Sequence, residues 1–365
     1  MGSQVLLSFL FFLFFFFFSI LMGVSNSSLV PAIYVFGDSL VDVGNNNHLK
    51  LSLAKANFPH NGLDFPTKKP TGRFSNGKNA ADFVAERVGL ATSPPYLSLI
   101  SKFRKTVNTT PFKTGVSFAS GGAGIFNETN NLFKQSVAMD QQIELYSRVY
   151  KHLVGELGSS GAAAHLSKSL FTVVIGSNDI FGYHESSDLR QKYSPQQYLD
   201  LMASTLHSQL KRLHGYGARK YVVGGIGLVG CAPSQRKRSK TGECDEEVNN
   251  WAAIYNTALK SKLETLKMEL NDISFSFFDV YQVMSNFVHS PSSYGFTEIK
   301  SACCGLGNLN ADVPCLPIAK FCSNRNNHLF WDLYHPTQEA HRMFANYIFD
   351  GPFTYPLNLN QLIAL

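Results

Sequence analysis

The stretch Ile33-Tyr34-Val35-Phe36-Gly37-Asp38-Ser39-Leu40 decides the fold that we expect for this chain. Its apolar beginning predicts a buried strand, and the Gly-Asp-Ser corner predicts a sharp turn at the carboxyl end of that strand. Small residues at such a corner leave a serine hydroxyl open to a ligand, with backbone N–H groups beside it. Ser39 is therefore a candidate nucleophile. The simpler alternative is that Asp38 or Ser39 only caps the next helix.

Strands and helices alternate along the rest of the chain. The clearest buried strand covers residues 170–175 and runs into Gly176-Ser177-Asn178-Asp179, and a brief strand at 115–119 runs into a glycine-rich turn at 120–124. Further strands are predicted at 220–226 and 273–280, and helices at 80–88, 195–215, 245–270 and 337–349. This alternation predicts a mostly parallel sheet covered on both faces, with Ser39, Gly121 and Asn178 at neighbouring strand ends.

The N-terminal segment is expected to be a secretion signal. Residues 5–22 are almost entirely apolar, no Lys or Arg precedes Lys50, and Gly23-Val24-Ser25 offers the small residues that a signal peptidase accepts. A retained membrane anchor is the alternative, because the apolar run is long for a signal peptide. We therefore predict a signal peptide at residues 1–25 and a single domain at residues 26–365, since no linker or repeat separates two cores.

The six cysteines all lie in the second half of the chain: Cys231, Cys244, Cys303, Cys304, Cys315 and Cys322. In an oxidising compartment they are expected to form disulfides rather than a metal site, because no histidine pair lies at zinc spacing beside them. Cys231 with Cys244 is the first expected pair. The pairing of the other four stays open, since the adjacent Cys303 and Cys304 can each reach either partner.

Two surface features are predicted: glycosylation sites, which depend on secretion, and a short basic loop. Asn26, Asn108 and Asn127 each begin an Asn-x-Ser/Thr sequon, so all three are predicted N-glycosylation sites. The formal net charge is only +6, and its densest source is the run Arg236-Lys237-Arg238-Ser239-Lys240, which is expected to form a solvated loop. One short basic run without a recognition module argues against nucleic acid as a partner.

The residues Asp332 and His335 could activate a serine. A serine hydroxyl becomes a good nucleophile when a histidine held by a carboxylate takes its proton. The three-residue spacing lets the carboxylate reach one imidazole nitrogen within a single turn, while Pro336 keeps His335 out of the helix that follows. The alternative is an aspartate that caps the helix and a histidine at the surface.

Acyl transfer also needs hydrogen-bond donors for the oxyanion that forms on the attacked carbonyl. The backbone N–H of Ser39, that of a glycine in the pair Gly121-Gly122 and the side chain of Asn178 are the candidate donors. Each could instead serve only the geometry of a tight turn.

Several sequence blocks in a fixed order resemble one known family. They are Phe36-Gly37-Asp38-Ser39, Gly72-Arg73-Phe74-Ser75-Asn76-Gly77, Phe118-Ala119-Ser120-Gly121-Gly122-Ala123-Gly124, Gly176-Ser177-Asn178-Asp179, Gly230-Cys231-Ala232-Pro233, Cys303-Cys304-Gly305 and Trp331-Asp332-Leu333-Tyr334-His335-Pro336. Together they resemble the plant GDSL esterase/lipase family within the SGNH-hydrolase superfamily. The resemblance covers nearly all of the chain beyond the predicted signal.

This resemblance implies an α/β fold, a three-layer α/β/α sandwich of the SGNH-hydrolase or flavodoxin-like type with a mostly parallel central sheet. It implies Ser39 as the nucleophile, Asp332 and His335 as the rest of a catalytic triad, and Gly121 and Asn178 as oxyanion donors. Gly121 is preferred to Gly122 because it follows the Ala-Ser pair, although sequence separates the two poorly. The family needs no metal ion and no organic cofactor.

The leading functional hypothesis is a secreted, extracellular carboxylic ester hydrolase that acts on lipid or cell-wall acyl esters through an acyl-enzyme on Ser39. An acyltransferase of the kind that assembles cutin-type polyesters would use the same acyl-enzyme. A catalytically inactive glycoprotein that binds wall polymer or lipid would have a damaged catalytic constellation, and no damage is visible. No stable membrane span is expected after signal cleavage.

Overall fold

The computed structural model describes residues 28–102, 110–129 and 134–365 of the chain. The predicted signal peptide and the sequon residues Asn26 and Asn108 lie outside the described residues. Asn127 is described, and it is exposed at the surface. Across the three described ranges, no helix is both long enough and apolar enough to cross a membrane.

Strands and helices alternate as the sequence predicts. The strands are β1 (Ile33–Gly37), β2 (Leu170–Val174), β3 (Lys220–Gly224), β4 (Ser274–Phe278), β5 (Glu298–Ala302), β6 (Cys304–Gly305), β7 (Lys320–Phe321), β8 (His328–Phe330) and β9 (Thr354–Pro356). The helices are α1 (Ala80–Arg87), α2 (Tyr96–Lys102), α3 (Thr110–Thr114), α4 (Met139–Ser167), α5 (Ser177–Glu185), α6 (Ser187–Lys192), α7 (Pro195–Gly215), α8 (Pro233–Arg236), α9 (Glu246–Glu269), α10 (Val280–His289), α11 (Gln338–Asp350) and α12 (Leu359–Ala364).

Capping residues explain where the long helices begin. Ser194 accepts the backbone N–H of Gln197, whose side chain binds back to the N–H of Ser194, so α7 starts with a complete capping box. The carboxylate of Asp245 accepts an N–H in the first turn of α9, and the hydroxyl of Thr337 does the same for α11. These helices, together with α1, match the predicted ones to within one residue at each end.

The main sheet has five strands in the order β1-β2-β3-β4-β9. The strands β1 to β4 run parallel to one another, and β9 pairs with β4 in the antiparallel direction. Apolar side chains of α4, α7 and α9 are buried against one face of this sheet, and those of α1, α10, α11 and α12 against the other. The fold is therefore the predicted three-layer α/β/α sandwich with a mostly parallel sheet.

The structure corrects the prediction of a strand at residues 115–119. Ser117 makes only isolated bridges, to Val35 of β1 and to Pro95. The carbonyls of Ser117 and Ala119 accept hydrogen bonds from the side-chain amide of Asn45, at 2.9 and 2.8 Å. The segment keeps backbone hydrogen bonds to Val35 and Gly37 of β1. Its opposite edge is bound by the Asn45 side chain and by residues 94–96 instead of by another strand, so it does not form a full strand of the sheet.

All six cysteines form disulfides. The predicted pair Cys231–Cys244 is confirmed. The pairing that sequence left open is Cys303 with Cys322 and Cys304 with Cys315.

The expectation that the basic run is wholly solvated is wrong at its first residue. Arg236 is buried, and its guanidinium donates to the backbone carbonyls of Cys231 and Gly242 at 2.9 and 3.0 Å. Those carbonyls lie in the loop that the Cys231–Cys244 disulfide closes. Arg236 therefore stabilises this loop from inside.

Candidate active site

Ser39, His335 and Asp332 form one continuous hydrogen-bonded group beyond the carboxyl end of β1. The Oγ of Ser39 lies 2.7 Å from Nε2 of His335, although the two residues are 296 positions apart. On the other side of the ring, Nδ1 of His335 lies 2.7 and 2.8 Å from the two carboxylate oxygens of Asp332. His335 and Asp332 are buried, whereas Ser39 is partly exposed. The structure thus brings together the three residues that the sequence singled out.

The corner that presents Ser39 depends on Gly37. Its φ is 152°, and a Cβ at this position would lie 2.2 Å from the carbonyl oxygen of Val174 on β2. The side-chain amide of Gln142 on α4 fixes this corner by two hydrogen bonds. Its oxygen accepts from the N–H of Gly37 at 2.8 Å, and its nitrogen donates to the carbonyl of Gly37 at 2.7 Å. Sequence reasoning missed Gln142, since α4 itself was not predicted.

The turn that carries His335 is closed by its own backbone and covered by an aromatic ring. The N–H of Trp331 donates to the carbonyl of His335 at 2.7 Å, and Asp332 accepts the backbone N–H groups of Tyr334 and His335, each at 2.9 Å. The ring of Phe74 packs on the imidazole with its centroid 5.0 Å away. These contacts leave His335 little freedom to turn away from Ser39.

The glycine-rich turn lies against the serine corner, where Asp42 and Asn46 hold it. The N–H of Gly121 donates to the Asp42 carboxylate at 3.0 Å, and the carbonyl of Gly121 accepts from the Asn46 amide at 2.8 Å. This corrects the expectation that Gly121 offers its N–H to an oxyanion, because a buried carboxylate already binds that N–H. Gly122, the alternative that the sequence left open, lines the cavity in front of Ser39.

Asn178 lies in the first turn of α5 and faces the same cavity as Ser39. Its side-chain nitrogen donates to the carbonyl of Ala123 at 2.8 Å, which orients the amide. The next residue, Asp179, accepts the N–H groups of Ile125 and Phe126 at 2.9 and 3.2 Å. Asp179 thereby fixes the end of the glycine-rich turn, a role that the motif alone did not reveal.

The block Gly72-Arg73-Phe74-Ser75-Asn76-Gly77 supports the site from outside. The Arg73 guanidinium binds both carboxylate oxygens of Asp82 at 2.6 and 2.7 Å, and both side chains are buried. Asn76 accepts the N–H of Gln338, the first residue of α11, at 2.8 Å. The block therefore ties Phe74 both to α1 and to the helix that follows His335.

Burial raises the pKa of three carboxyl groups that surround the site. Desolvation raises the pKa of Asp38 to about 7, against the opposing effect of the hydrogen bond that it accepts from the N–H of Leu40. Burial likewise raises the pKa of Asp42 to about 6 and that of Asp179 to about 6. The protonation of all three is therefore sensitive to pH in the range where most enzymes work.

One cavity of about 390 Å³ opens in front of Ser39 and His335. This volume lies within the range of small-molecule sites, and the lining is mostly apolar. Among residues 28–102, 110–129 and 134–365, no cluster of three or more His, Cys, Asp or Glu side chains could hold a metal ion.

Comparisons with known proteins find similarity at the level of family, sequence and structure. The model of the GDSL-like lipase/acylhydrolase family matches residues 33–348. One GDSL esterase/lipase of Arabidopsis thaliana is 49% identical over 340 residues, which cover 92% of this chain and 90% of that protein. Another from the same plant is 38% identical over 329 residues, covering 90% of each. A solved mutant of an acetyl-xylooligosaccharide esterase from Geobacillus aligns with 87% of this chain and 92% of its own, at 12% identity and a TM-score of 0.37.

A Ser-His-Asp group at the carboxyl edge of a parallel sheet, inside a three-layer α/β/α sandwich, is an arrangement typical of serine hydrolases. The family match and the sequence identities to relatives define a narrower class than serine hydrolases in general. The chain belongs to the GDSL-like lipase/acylhydrolase family, and it is a carboxylic ester hydrolase.

Proposed function

We propose that this protein is a secreted esterase that hydrolyses acyl esters of lipids or of the cell wall through an acyl-enzyme on Ser39. The observation that carries the proposal is the 2.7 Å hydrogen bond between Oγ of Ser39 and Nε2 of His335, with the Asp332 carboxylate on the opposite nitrogen. A neutral imidazole held in this way accepts the serine proton as the oxygen attacks.

In the first half of the reaction, Oγ of Ser39 bonds to the ester carbonyl carbon and its proton moves to Nε2 of His335. The tetrahedral oxyanion then collapses, the bond to the alcohol oxygen breaks, and His335 returns the proton to the departing alcohol. In the second half, a water molecule loses its proton to His335 and attacks the acyl-enzyme. The acid leaves and Ser39 regains its proton.

The oxyanion needs donors that are oriented before the reaction starts. We assign this role to the N–H of Ser39, to the N–H of Gly122 in place of Gly121, and to the amide of Asn178. Support comes from the position of Gly122 and Asn178 in the lining of the same cavity as Ser39.

Secretion is supported by the three disulfides, because such bonds persist in oxidising compartments. We therefore keep the cleaved signal at residues 1–25, one domain over the remaining chain, and N-glycosylation at Asn26, Asn108 and Asn127 as parts of the proposal. Peptide mapping of the protein recovered from the culture medium tests all of these. A mature protein that still carries residues 1–25 would contradict the cleaved signal.

The catalytic proposal is tested with p-nitrophenyl esters and the Ser39→Ala variant of the secreted protein. We expect hydrolysis to be lost while the melting temperature stays near that of the wild type. Ser208→Ala, which changes an exposed serine on α7, is the matched control. Retention of most of the activity by Ser39→Ala would remove Ser39 as the nucleophile. Adding a glycerol-ester acceptor distinguishes the transferase alternative, because acceptor-dependent ester products would then replace free acid.

A further inference from the structure

The cavity in front of Ser39 continues into the interior of the protein. Besides residues of the surface cleft, its lining includes Val84 on α1, Met284 on α10, and Phe344 and Ile348 on α11. All four are buried in the core between these helices and the sheet. The cavity therefore has an inner limb, which we define as the part lined by these four side chains and by β2 and β3.

Gly224, the last residue of β3, is part of the sheet surface that lines the inner limb. The sheet register places Gly37, Val174, Gly224 and Phe278 in one row across β1 to β4. With adjacent strands about 4.8 Å apart, Gly224 lies roughly 10 Å across the sheet from Gly37, two residues before Ser39. A chain that starts at Ser39 and enters the limb would pass over this row.

The backbone does not require glycine at position 224. Its φ is outside the left-handed region, and a Cβ there would meet nothing closer than 3.4 Å. By contrast, a Cβ on Gly225 would come within 2.9 Å of the Phe277 ring, and one on Gly227 within 2.3 Å of Met284. Gly224 therefore leaves room in the limb, whereas its neighbours are glycines because of close packing.

Two polar side chains belong to the elements that line the limb: Thr172 on β2, and His341 on α11, three residues before Phe344. Thr172 and His341 both line the cavity and are buried, with exposed fractions of 7% and 3%. Neither Oγ1 of Thr172 nor Nδ1 of His341 has a hydrogen-bond partner within the described part of the chain. Burial also lowers the pKa of His341 to about 3, so its ring is neutral and can pair with a hydroxyl. Buried polar atoms of this kind require a partner.

We infer that the inner limb is the site of the substrate acyl chain, and that Thr172 and His341 bind an oxygen carried by that chain. This inference rests on the proposed ester hydrolysis at Ser39. The apolar walls favour a hydrocarbon chain of medium length, and the two polar atoms favour a hydroxylated chain over a plain one. Gly224 allows a chain of this length because it leaves the limb open, and a larger side chain at this position would shorten the chain that fits.

The first test varies only the acyl group. For p-nitrophenyl acetate, butanoate, octanoate and decanoate, Gly224→Leu should lower the decanoate-to-acetate ratio of kcat/KM at least tenfold, and Gly224→Ala should lower it less. Gly215→Leu is the control, because a Cβ there meets nothing within 4 Å. Melting temperatures show whether each variant is folded. An unchanged ratio in folded Gly224→Leu and Gly224→Ala would overturn the inference.

The second test does not depend on catalysis. In the Ser39→Ala background, calorimetry should detect binding of decanoic acid, and adding Gly224→Leu should weaken this binding at least tenfold. Equal binding with and without Gly224→Leu would overturn the inference, even if Ser39 proved not to be the nucleophile. Failure of the proposed function would be recognised separately, because the Ser39→Ala variant would then still hydrolyse esters.

The third test addresses the polar atoms. Thr172→Val keeps the shape of the side chain and removes its hydroxyl, so it should reduce the preference for hydroxydecanoyl over decanoyl esters at least fivefold. Val174→Thr, on the same strand, is the reciprocal variant and should not lower that preference. A preference that Thr172→Val leaves unchanged would overturn the assignment of Thr172 to an oxygen of the chain.

Discussion

The carboxylate of Asp332 binds both the main chain and the ring of His335. One of its oxygens accepts the backbone N–H of His335 at 2.9 Å and lies 2.7 Å from Nδ1 of the same residue. The second oxygen lies 2.8 Å from Nδ1. A single side chain therefore sets the turn that carries the histidine and the orientation of the imidazole within it.

The substitution Asp332→Asn should separate these two tasks. Its carbonyl oxygen can still accept the backbone N–H, so we expect a melting temperature near that of the wild type. The amide nitrogen that replaces the second oxygen can only donate to Nδ1, which favours the wrong tautomer, and the negative charge that stabilises the imidazolium is lost. We therefore expect kcat to fall by about 10⁴. Asp332→Ala, which loses both contacts, should in addition lower the melting temperature. A kcat within tenfold of the wild type in Asp332→Asn would contradict the proposed role.

The substitution Asn178→Ala tests the oxyanion donors. Loss of one donor should lower kcat by roughly 10² to 10³, with a smaller change in KM, because the hydrogen bond is strongest in the transition state. The variant also loses the contact with Ala123, so its stability must be measured alongside. If only KM rises, Asn178 binds the ground state and the donor set must be revised.

The disulfides should differ in their effect on the site. Replacing Cys304 and Cys315 by serine, or Cys231 and Cys244 by serine, should cost about 3 kcal/mol of unfolding free energy in each case, since the closed loops are of similar length. Only the loss of the Cys304–Cys315 disulfide should also raise KM, because Cys315 lines the cavity. Urea unfolding and ester kinetics on the two double variants make the comparison. Equal KM values would argue against a role of that loop in substrate binding.

Stability should depend on pH through Asp38. Its pKa is raised from 3.8 to about 7 in the folded protein, so between these values the native state binds more protons than the unfolded chain. The contribution of Asp38 to the free energy of unfolding therefore falls as the pH rises from about 4 to about 7, by at most about 1.4 kcal/mol per pH unit. Asp38→Asn should flatten the measured dependence.

Urea unfolding at several pH values measures this slope. Asp200→Asn on the exposed side of α7 is the control, and it should follow the wild type. Identical slopes in Asp38→Asn and the wild type would show that Asp38 does not titrate in this range.

Local sequence determined much of this fold. The helices α1, α7, α9 and α11 begin at capping residues that hydrogen-bond within their own first turn, and their apolar stripes recur at helical spacing, so neighbours in sequence suffice to predict them. The strand before Ser39 and the turn from Asp332 to His335 are equally local. For this reason the sequence could select Ser39, Asp332 and His335 before any contact was known.

Helix α4 depended on distant contacts. Glycines at 155, 158 and 161 interrupt its pattern, and at Gly158 the backbone itself leaves the helical region, with φ 70° and ψ 165°. Apolar side chains such as Tyr146 and Leu153 hold the helix in the core. Gln142, which holds Gly37, could not be recognised without that helix.

The choice between Gly121 and Gly122 also belonged to the tertiary structure. Both glycines stand in the same motif, and only the approach of the Asp42 carboxylate, 79 positions away in sequence, occupies the N–H of Gly121. The partners of Cys303 and Cys304 and the burial of Arg236 were decided in the same way. Sequence by itself determined which groups could do the chemistry, because their local turns and caps are short-range. Tertiary structure decided which atoms remain available, because a hydrogen bond or a packing contact depends on residues that only the complete fold brings near.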